Sequence, residues 1–276
     1  MLNKIDKNRV MSWNCKSCDS DPKILKDIAT LISSNKIDIF ALIESSQGSS
    51  EIVSDLALFN CNVEKIDVSY DDSIKVFARK PNIFKKYKSG DRWVIVEYLN
   101  NTGTVYLSFV HLLSKVGTNE ITRHCKSTAV MKNMLSSMDG NKPRFIIGDF
   151  NENPFESVAC SSDCLNSIFP SQIGMVKRKI RTNCENEYHI NPSWAMFVNN
   201  EYVSGTYYFK DRTMDCLCWN VLDQVVMSVE AYEKVYDKNS LKILTSINNN
   251  NELIKNGIPD KENYSDHLPI VFDLNN

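Results

Sequence analysis

No apolar run in this chain is long enough to cross a bilayer; the longest, such as 39–43, covers only a few residues. The N-terminus likewise lacks a long apolar stretch after its early lysines, so a soluble, unexported protein of the cytoplasm, without membrane insertion, is expected. Disulfide staples are not expected either. The nine cysteines are odd in number, and 276 residues with 42% hydrophobic content can build a core without them. Also missing is any surplus of positive charge. A formal net charge of -2 provides no global basic field, so affinity for a polyanion has to come from local patches or from bound metal ions.

What the chain does contain is a mixed succession of strands and helices. Residues 9–14 read as a strand, followed by a polar loop and by Asp21-Pro22, an N-cap before a proline at the first helical position. Ile24, Leu25, Ile28, Leu31 and Ile32 then recur at helical spacing up to Asn35, and the apolar run 37–43 reads as a buried strand ending at Glu44. Strands are predicted at 74–79, 93–99 and 104–110, with His111 closing the last. Residues 119–138 carry their apolar side chains mostly on one face, which predicts a second helix feeding a strand at 144–147 that Gly148 breaks into a loop. Further strands are predicted at 205–209, 222–229 and 268–274, and a loop at 248–251. With no internal repeat, no linker and no strict strand-helix alternation, the order predicts a layered α/β sandwich in a single domain, residues 1–276.

Several predicted strands end in a polar or ionisable residue: Asn14, Glu44, His111, and Asp149 with Asn151. Acidic and amide oxygens gathered at strand ends suit a hard cation such as Mg2+, which takes oxygen ligands and commonly one or two carboxylates together with substrate phosphate. In chain order the landmarks are Ser12-Trp13-Asn14, Ile43-Glu44, Val110-His111-Leu112, Gly148-Asp149-Phe150-Asn151 followed by Pro154, Leu222-Asp223-Gln224-Val225, and Ser265-Asp266-His267-Leu268-Pro269. Singly, each has a bland reading: Glu44 as a surface charge, Asn14 and Asn151 as turn caps, Asp266-His267 as a loop.

Together and in this order, over nearly the whole chain, the landmarks resemble the endonuclease/exonuclease/phosphatase family. The resemblance implies an α/β (α+β) four-layer sandwich, two packed mixed β-sheets flanked by helices. It implies a Mg2+- or Mn2+-dependent phosphoester hydrolase that uses activated water and forms no covalent intermediate. Glu44 would be the principal metal ligand, with Asn14 and Asp266 completing or supporting the metal environment. Asp149 would orient or deprotonate the water, Asn151 would hold the phosphate, and His267, oriented by Asp223, would stabilise the developing charge or handle the proton. His111 resembles the histidine of the deoxyribonuclease-like and phosphatase-like branches, where the abasic-site repair branch tends to carry tyrosine. The implied substrate is a phosphodiester in DNA; RNA, inositol phosphates and phospholipid head groups are alternatives for the same chemistry, and a catalytically silent scaffold is a reading from another class. Against the scaffold stands the presence of every chemically required residue type, Glu44, Asp149, Asp266 and His267 among them.

Other motifs carry two readings each. Lys177, Arg178, Lys179 and Arg181 form the densest basic cluster and would suit substrate phosphates flanking the scissile bond, or simply a solvated face. Cys15-Lys16-Ser17-Cys18 has redox or metal-ligand spacing, but Cys216-Leu217-Cys218 does not complete a zinc set, so buried or incidental thiols are expected. His124 and His189 are expected on a solvated helix and in a loop, and Trp93, Trp194 and Trp219 in the core rather than in recognition.

Overall fold

The structure, a computed structural model, describes residues 7–101, 103–169, 178–179, 185–198, 203–210, 218–248 and 251–276. In chain order, its two large sheets are built from β1 (Lys7–Asn14), β2 (Ile39–Ile43), β3 (Glu64–Val68), β4 (Ile74–Ala78), β5 (Phe84–Gly90), β6 (Trp93–Asn100), β7 (Gly103–His111), β8 (Arg144–Asp149), β9 (Ser167–Ile168), β10 (His189–Ile190), β11 (Asp223–Ser228), β12 (Lys242–Ile243) and β13 (Ile270–Asn275). The principal helices are α1 (Pro22–Ser34), α2 (Ser49–Leu58) and α3 (Glu120–Ser136). One sheet has six strands in the order β12-β13-β1-β2-β4-β3; the other has seven in the order β5-β6-β7-β8-β11-β10-β9. Both are mixed: β1 runs parallel to β2 and β7 to β8, while β13 on β1 and β11 on β8 are antiparallel.

The sheets face each other across a shared apolar layer that holds Val10, Ile39 and Phe272 from one and Phe109, Phe145 and Val225 from the other. Phe145 and Phe272 stack across it with centroids 5.6 Å apart. On the outside of the six-stranded sheet, α1 and α2 bury Leu25, Ile28, Leu31, Ile52 and Leu56. A second apolar cluster, with Met131 and Met134 of α3 over Ile95, Val110 and Ile146, covers the seven-stranded sheet. The result is the four-layer sandwich of helices, sheet, sheet and helices. Among the described residues no helix is long and apolar enough to cross a membrane.

Local chemistry explains several elements. Asp21 accepts from Lys23 N at 2.8 Å and Pro22 opens α1, so one orphan amide is capped and one is absent. Residues 39–43 are buried throughout, as an interior strand requires. Elsewhere the structure departs from expectation. Gly148 does not break the strand at 144–147: β8 runs through it to Asp149. Its φ is +131°, and a Cβ there would stand 2.2 Å from the Val110 carbonyl oxygen, so the glycine permits close approach of β7 and β8. The strand expected at 205–209 shortens to Tyr207–Tyr208, paired with Trp219–Asn220. The expected loop at 248–251 falls in a hairpin between Ser246–Asn248 and Asn251–Glu252, its two central residues lying outside the described ones.

Candidate active site

Strand register brings the candidate residues to one end of both sheets. In β1 and β2, Asn14 pairs with Ile43, so Glu44 follows immediately beside it. In the other sheet His111 pairs with Asp149, and Asp149 in turn pairs with Asp223. The sheets are joined at this end by Asn14 Nδ2, which donates to Asp149 Oδ2 at 3.0 Å. Ser265 and His267 close the group: Ser265 Oγ donates to the Asn14 carbonyl at 2.7 Å, His267 N donates to Ser265 Oγ at 3.1 Å, and Trp13 Nε1 donates to the His267 carbonyl at 3.0 Å.

Two of these residues leave their strands in the left-handed region, Glu44 at φ +54° and Asn151 at φ +52°. Such a backbone is uncommon for a residue with a side chain, and hydrogen bonds hold it here. Glu44 N donates to the Ser73 carbonyl and Ser17 N to the Glu44 carbonyl, each at 2.8 Å. Asn151 Nδ2 donates to the Leu112 carbonyl at 3.0 Å. The loop after Glu44 is clamped by two buried charges that sequence reasoning missed. Asp19 accepts from Ser45 Oγ at 2.5 Å and Ser46 N at 3.1 Å, and Lys75 Nζ donates to the Ser45 carbonyl at 2.7 Å. A third buried group, Arg123 with Glu152, lies 3.2 Å apart behind Asn151.

At the centre stands Asp149, 1% exposed. Its Oδ1 accepts from Asn151 N at 2.7 Å and its Oδ2 from Asn151 Nδ2 at 3.2 Å, besides the Asn14 bond. Two imidazoles flank it, His111 Nε2 and His267 Nε2 each 4.0 Å from Oδ2. Burial pushes the Asp149 carboxyl above its ordinary range, with the Asp223 charge adding to the rise and the imidazoles opposing it. Glu44 shows the reverse: the hydrogen bond from His111, 3.2 Å from its Oε1, holds its carboxyl down at about 2 despite partial burial. His267 Nδ1 is 2.8 Å from Asp223 Oδ2. Burial works against the imidazolium, but the charges of Asp223 and Asp149 outweigh it and raise the ring to about 9. The Tyr207 ring packs on His267 at 4.8 Å between centroids.

These groups open on a cleft of about 430 Å³. Asn14, Glu44, Asp149, Asn151, Asp266 and His267 line it, together with Lys16, Ser114, Lys115, Val116, Tyr207, Phe209, Asn220 and Leu222. His111 and Asp223 stand behind this wall, each against one of its members. Lys16 ion-pairs with Asp266. Among the described carboxylates of the lining, Glu44 is the most exposed, with His111 and the Asn14 amide beside it. One carboxylate with a neighbouring amide fits a hard cation whose other positions go to water and substrate. Among the described residues no three His, Cys, Asp or Glu side chains are grouped as a closed metal cage requires.

The remaining candidates lie apart. Lys177 and Arg181 fall outside the described residues; Arg178 and Lys179 pair through their backbone with Asn186 and Glu185, their side chains lying outside the description. His189 is not in a solvated loop: it is buried on β10, with Nδ1 2.7 Å from the Leu165 carbonyl and its pKa lowered by burial to about 4. His124 is partly exposed on α3, 3.9 Å from Asp163. Cys15 is a buried free thiol and Cys18 a partly buried one, while Trp93 is core. Lys16 was legible in principle as the residue two beyond Asn14, but within Cys15-Lys16-Ser17-Cys18 the cysteines drew the reading.

No family model matches the sequence, and no curated protein matches it either. Solved structures match its fold. TDP2 of D. rerio, complexed with single strand DNA product, superposes with a TM-score of 0.59 at 14% identity, over 98% of this chain and 100% of that one. An endonuclease/exonuclease/phosphatase family protein from Leptotrichia buccalis gives 0.58 at 12% identity, over 98% and 100%. A mannosyl-6-phosphatase of Bacteroides thetaiotaomicron gives 0.56 at 15% identity, over 97% and 99%. The fold of this chain is therefore that of the endonuclease/exonuclease/phosphatase proteins.

Proposed function

We propose that this chain hydrolyses phosphoesters, in the first place phosphodiesters of DNA, with Mg2+ or Mn2+ as cofactor. The observation that carries the reading is the meeting of Asn14, Glu44, Asp149, Asn151 and His267 on one cleft wall, with Asp149 and His267 4.0 Å apart. A positioned acid or base gains only ~10^2 to 10^4-fold of the ~10^6 to 10^17-fold that enzymes reach, so phosphoester hydrolysis needs several such groups together.

Each residue then has a role that its surroundings suit. Asp149, its carboxyl pushed up by burial, takes the proton of the attacking water, while Asn14 and Asn151 fix its two oxygens. His267, kept cationic around neutral pH by Asp223 and Asp149, faces the negative charge that develops on the phosphoryl group and protonates the leaving oxygen. Glu44, held anionic by His111, with Asn14 beside it and Asp266 nearby, would hold the divalent ion. When bound, that ion supplies a Lewis acid and a template for the phosphoryl oxygens. Lys16 and Lys115 give the cleft positive charge for phosphates, and Tyr207 and Phe209 give it aromatic surface for bases.

The D. rerio TDP2 complex with single strand DNA product supports DNA as the substrate; the mannosyl-6-phosphatase supports a phosphorylated sugar on the same fold. The test is to incubate the purified chain with plasmid and single-stranded DNA, RNA, and sugar and inositol phosphates, with Mg2+ or Mn2+ and with chelator. Chelator-sensitive cleavage of DNA is expected. Release of phosphate from small molecules alone would replace DNA as the substrate, and no hydrolysis of any phosphoester in either metal would end the reading.

A further inference from the structure

Among the described residues two lysines line the cleft, and they are held differently. Lys115 Nζ lies 2.6 and 2.8 Å from the two oxygens of Glu156, away from the catalytic carboxylates. Lys16 Nζ is bound to Asp266, the residue next to His267. Its backbone is tied to the same group: Lys16 N donates to Asn14 Oδ1 at 3.1 Å, and the next amide, Ser17 N, donates to the Glu44 carbonyl at 2.8 Å. Lys16 and Ser17 both take left-handed backbone, at φ +46° and +61°, a conformation that side-chain-bearing residues keep only where their surroundings hold them. The turn thus places one ammonium among the site's carboxylates.

That placement bears on how the site neutralises a phosphate. Phosphoryl-transfer sites commonly use two divalent ions about 4 Å apart, one for the attacking and one for the leaving oxygen. A second ion needs carboxylates of its own, and they are engaged elsewhere. Asp149 accepts from Asn14 and Asn151, Asp223 is bound to His267, and Asp266 is bound to Lys16. A fixed basic side chain does the same electrostatic work without a metal.

We propose that Lys16 is the second cation of this site: its ammonium, fixed on Asp266, neutralises the substrate phosphate where a second divalent ion would otherwise sit, and the site takes one divalent ion, at Glu44. The proposal rests on the phosphoester reading above. It is tested by titrating Mn2+ into the purified full chain without substrate, followed by electron paramagnetic resonance, and by measuring inhibition of hydrolysis by inorganic phosphate. The Lys16 side chain is 55% exposed, so Lys16→Met and Lys16→Arg should fold with unchanged melting temperatures. The wild type is expected to bind one Mn2+. Lys16→Met is expected to bind Mn2+ about tenfold more tightly or to accept a second ion, and to lose about tenfold in phosphate inhibition; Lys16→Arg should behave as wild type in both. Two Mn2+ ions on the wild type, or equal Mn2+ binding by wild type and Lys16→Met, would overturn the role of Lys16 and leave the hydrolytic reading standing. Tighter Mn2+ binding by Lys16→Met in a chain that hydrolyses no phosphoester would overturn the hydrolytic reading and keep Lys16 as the resident counter-ion of Asp266.

Discussion

Replacing Asp223 with asparagine takes one carboxylate away from His267 and leaves the surrounding frame in place. Asp223 is fully buried, its amide is anchored on Thr206 Oγ1 at 3.1 Å, and its Oδ2 meets His267 Nδ1 at 2.8 Å. In the wild type His267 titrates at about 9 rather than 6.5, because Asp223 and Asp149 outweigh the effect of burial. A hydrogen bond to a charged group is worth ~1.5–3 kcal/mol and one pH unit ~1.4 kcal/mol, so in Asp223→Asn the ring should titrate ~1–2 pH units lower. Linkage fixes the sign. A ring whose folded pKa is raised contributes stability that is complete below about 6.5 and is lost as pH rises through about 9. Over that window the wild type should lose ~3 kcal/mol and the variant ~1 kcal/mol. The wild-type advantage in unfolding free energy should therefore be ~2 kcal/mol larger near pH 6 than near pH 10, whatever the substitution costs at baseline. Urea denaturation at the two pH values measures this difference, and an NMR titration of the ring measures its cause. If His267 titrates at the same pH in both proteins, or the stability difference does not change with pH, then Asp223 does not hold the imidazolium and the assignment of His267 as a cation at neutral pH falls with it.

Glu44→Gln removes the carboxylate that His111 keeps anionic down to about 2; the Mg2+ needed for half-maximal hydrolysis should rise by at least ~10-fold, and an unchanged metal requirement would exclude Glu44 as the ligand. Gly148→Ala would place a Cβ 2.2 Å from the Val110 carbonyl oxygen at a φ of +131°, so urea denaturation should show a loss of ~3 kcal/mol or more; a loss under ~0.5 kcal/mol would mean that β7 and β8 can part without cost. Arg123→Met would leave the buried Glu152 without its ion-pair partner and should lower stability by ~3–5 kcal/mol, with most of the loss recovered in the double variant Arg123→Met/Glu152→Gln. Failure of the second substitution to restore stability would show that Arg123 acts through packing alone.

The parts of the fold legible in the sequence are those where one local rule dominates. The strand at 39–43 is apolar because it is covered on both faces, and α1 announces itself through Asp21-Pro22 and its apolar stripe. β5 was not legible: among residues 84–90 only Phe84 is buried, and Lys85, Lys86 and Lys88 project from an edge strand that exists because β6 pairs with it. Lysines on an edge also keep a second chain from pairing there, so the composition that hides the strand has its own physical reason. α2 was hidden by the polar stretch before it, where Gly48 supplies no side-chain cap and Glu51 reaches back to accept from Gly48 N at 3.1 Å. Gly148 misled because glycine ends strands more often than it lets two of them close up.

The candidate site divides along the same line. Asn14, Glu44, His111 and Asp149 end strands or directly follow them, where pairing register places them once the sheets form, so a polar residue closing an apolar run already marks them; Asp223 opens β11 and was marked only by the family resemblance. The residues that support them carry no such mark. Asp19 meets the loop after Glu44 across 26 residues of chain, Lys75 meets Ser45 across 30, and Lys16 meets Asp266 across 250. Nothing local distinguishes these charges from the solvated Asp and Lys residues found along loops and exposed strands, and only the closure of both sheets decides that they are buried or paired. Yet the first two fix the loop that carries Glu44, and the third sets how many positive charges the cleft already holds. The chemistry available at this end of the sandwich is thus written largely in strand-terminal residues, while its precision and its charge balance depend on charged residues of turns and of β4 whose partners are defined only in three dimensions.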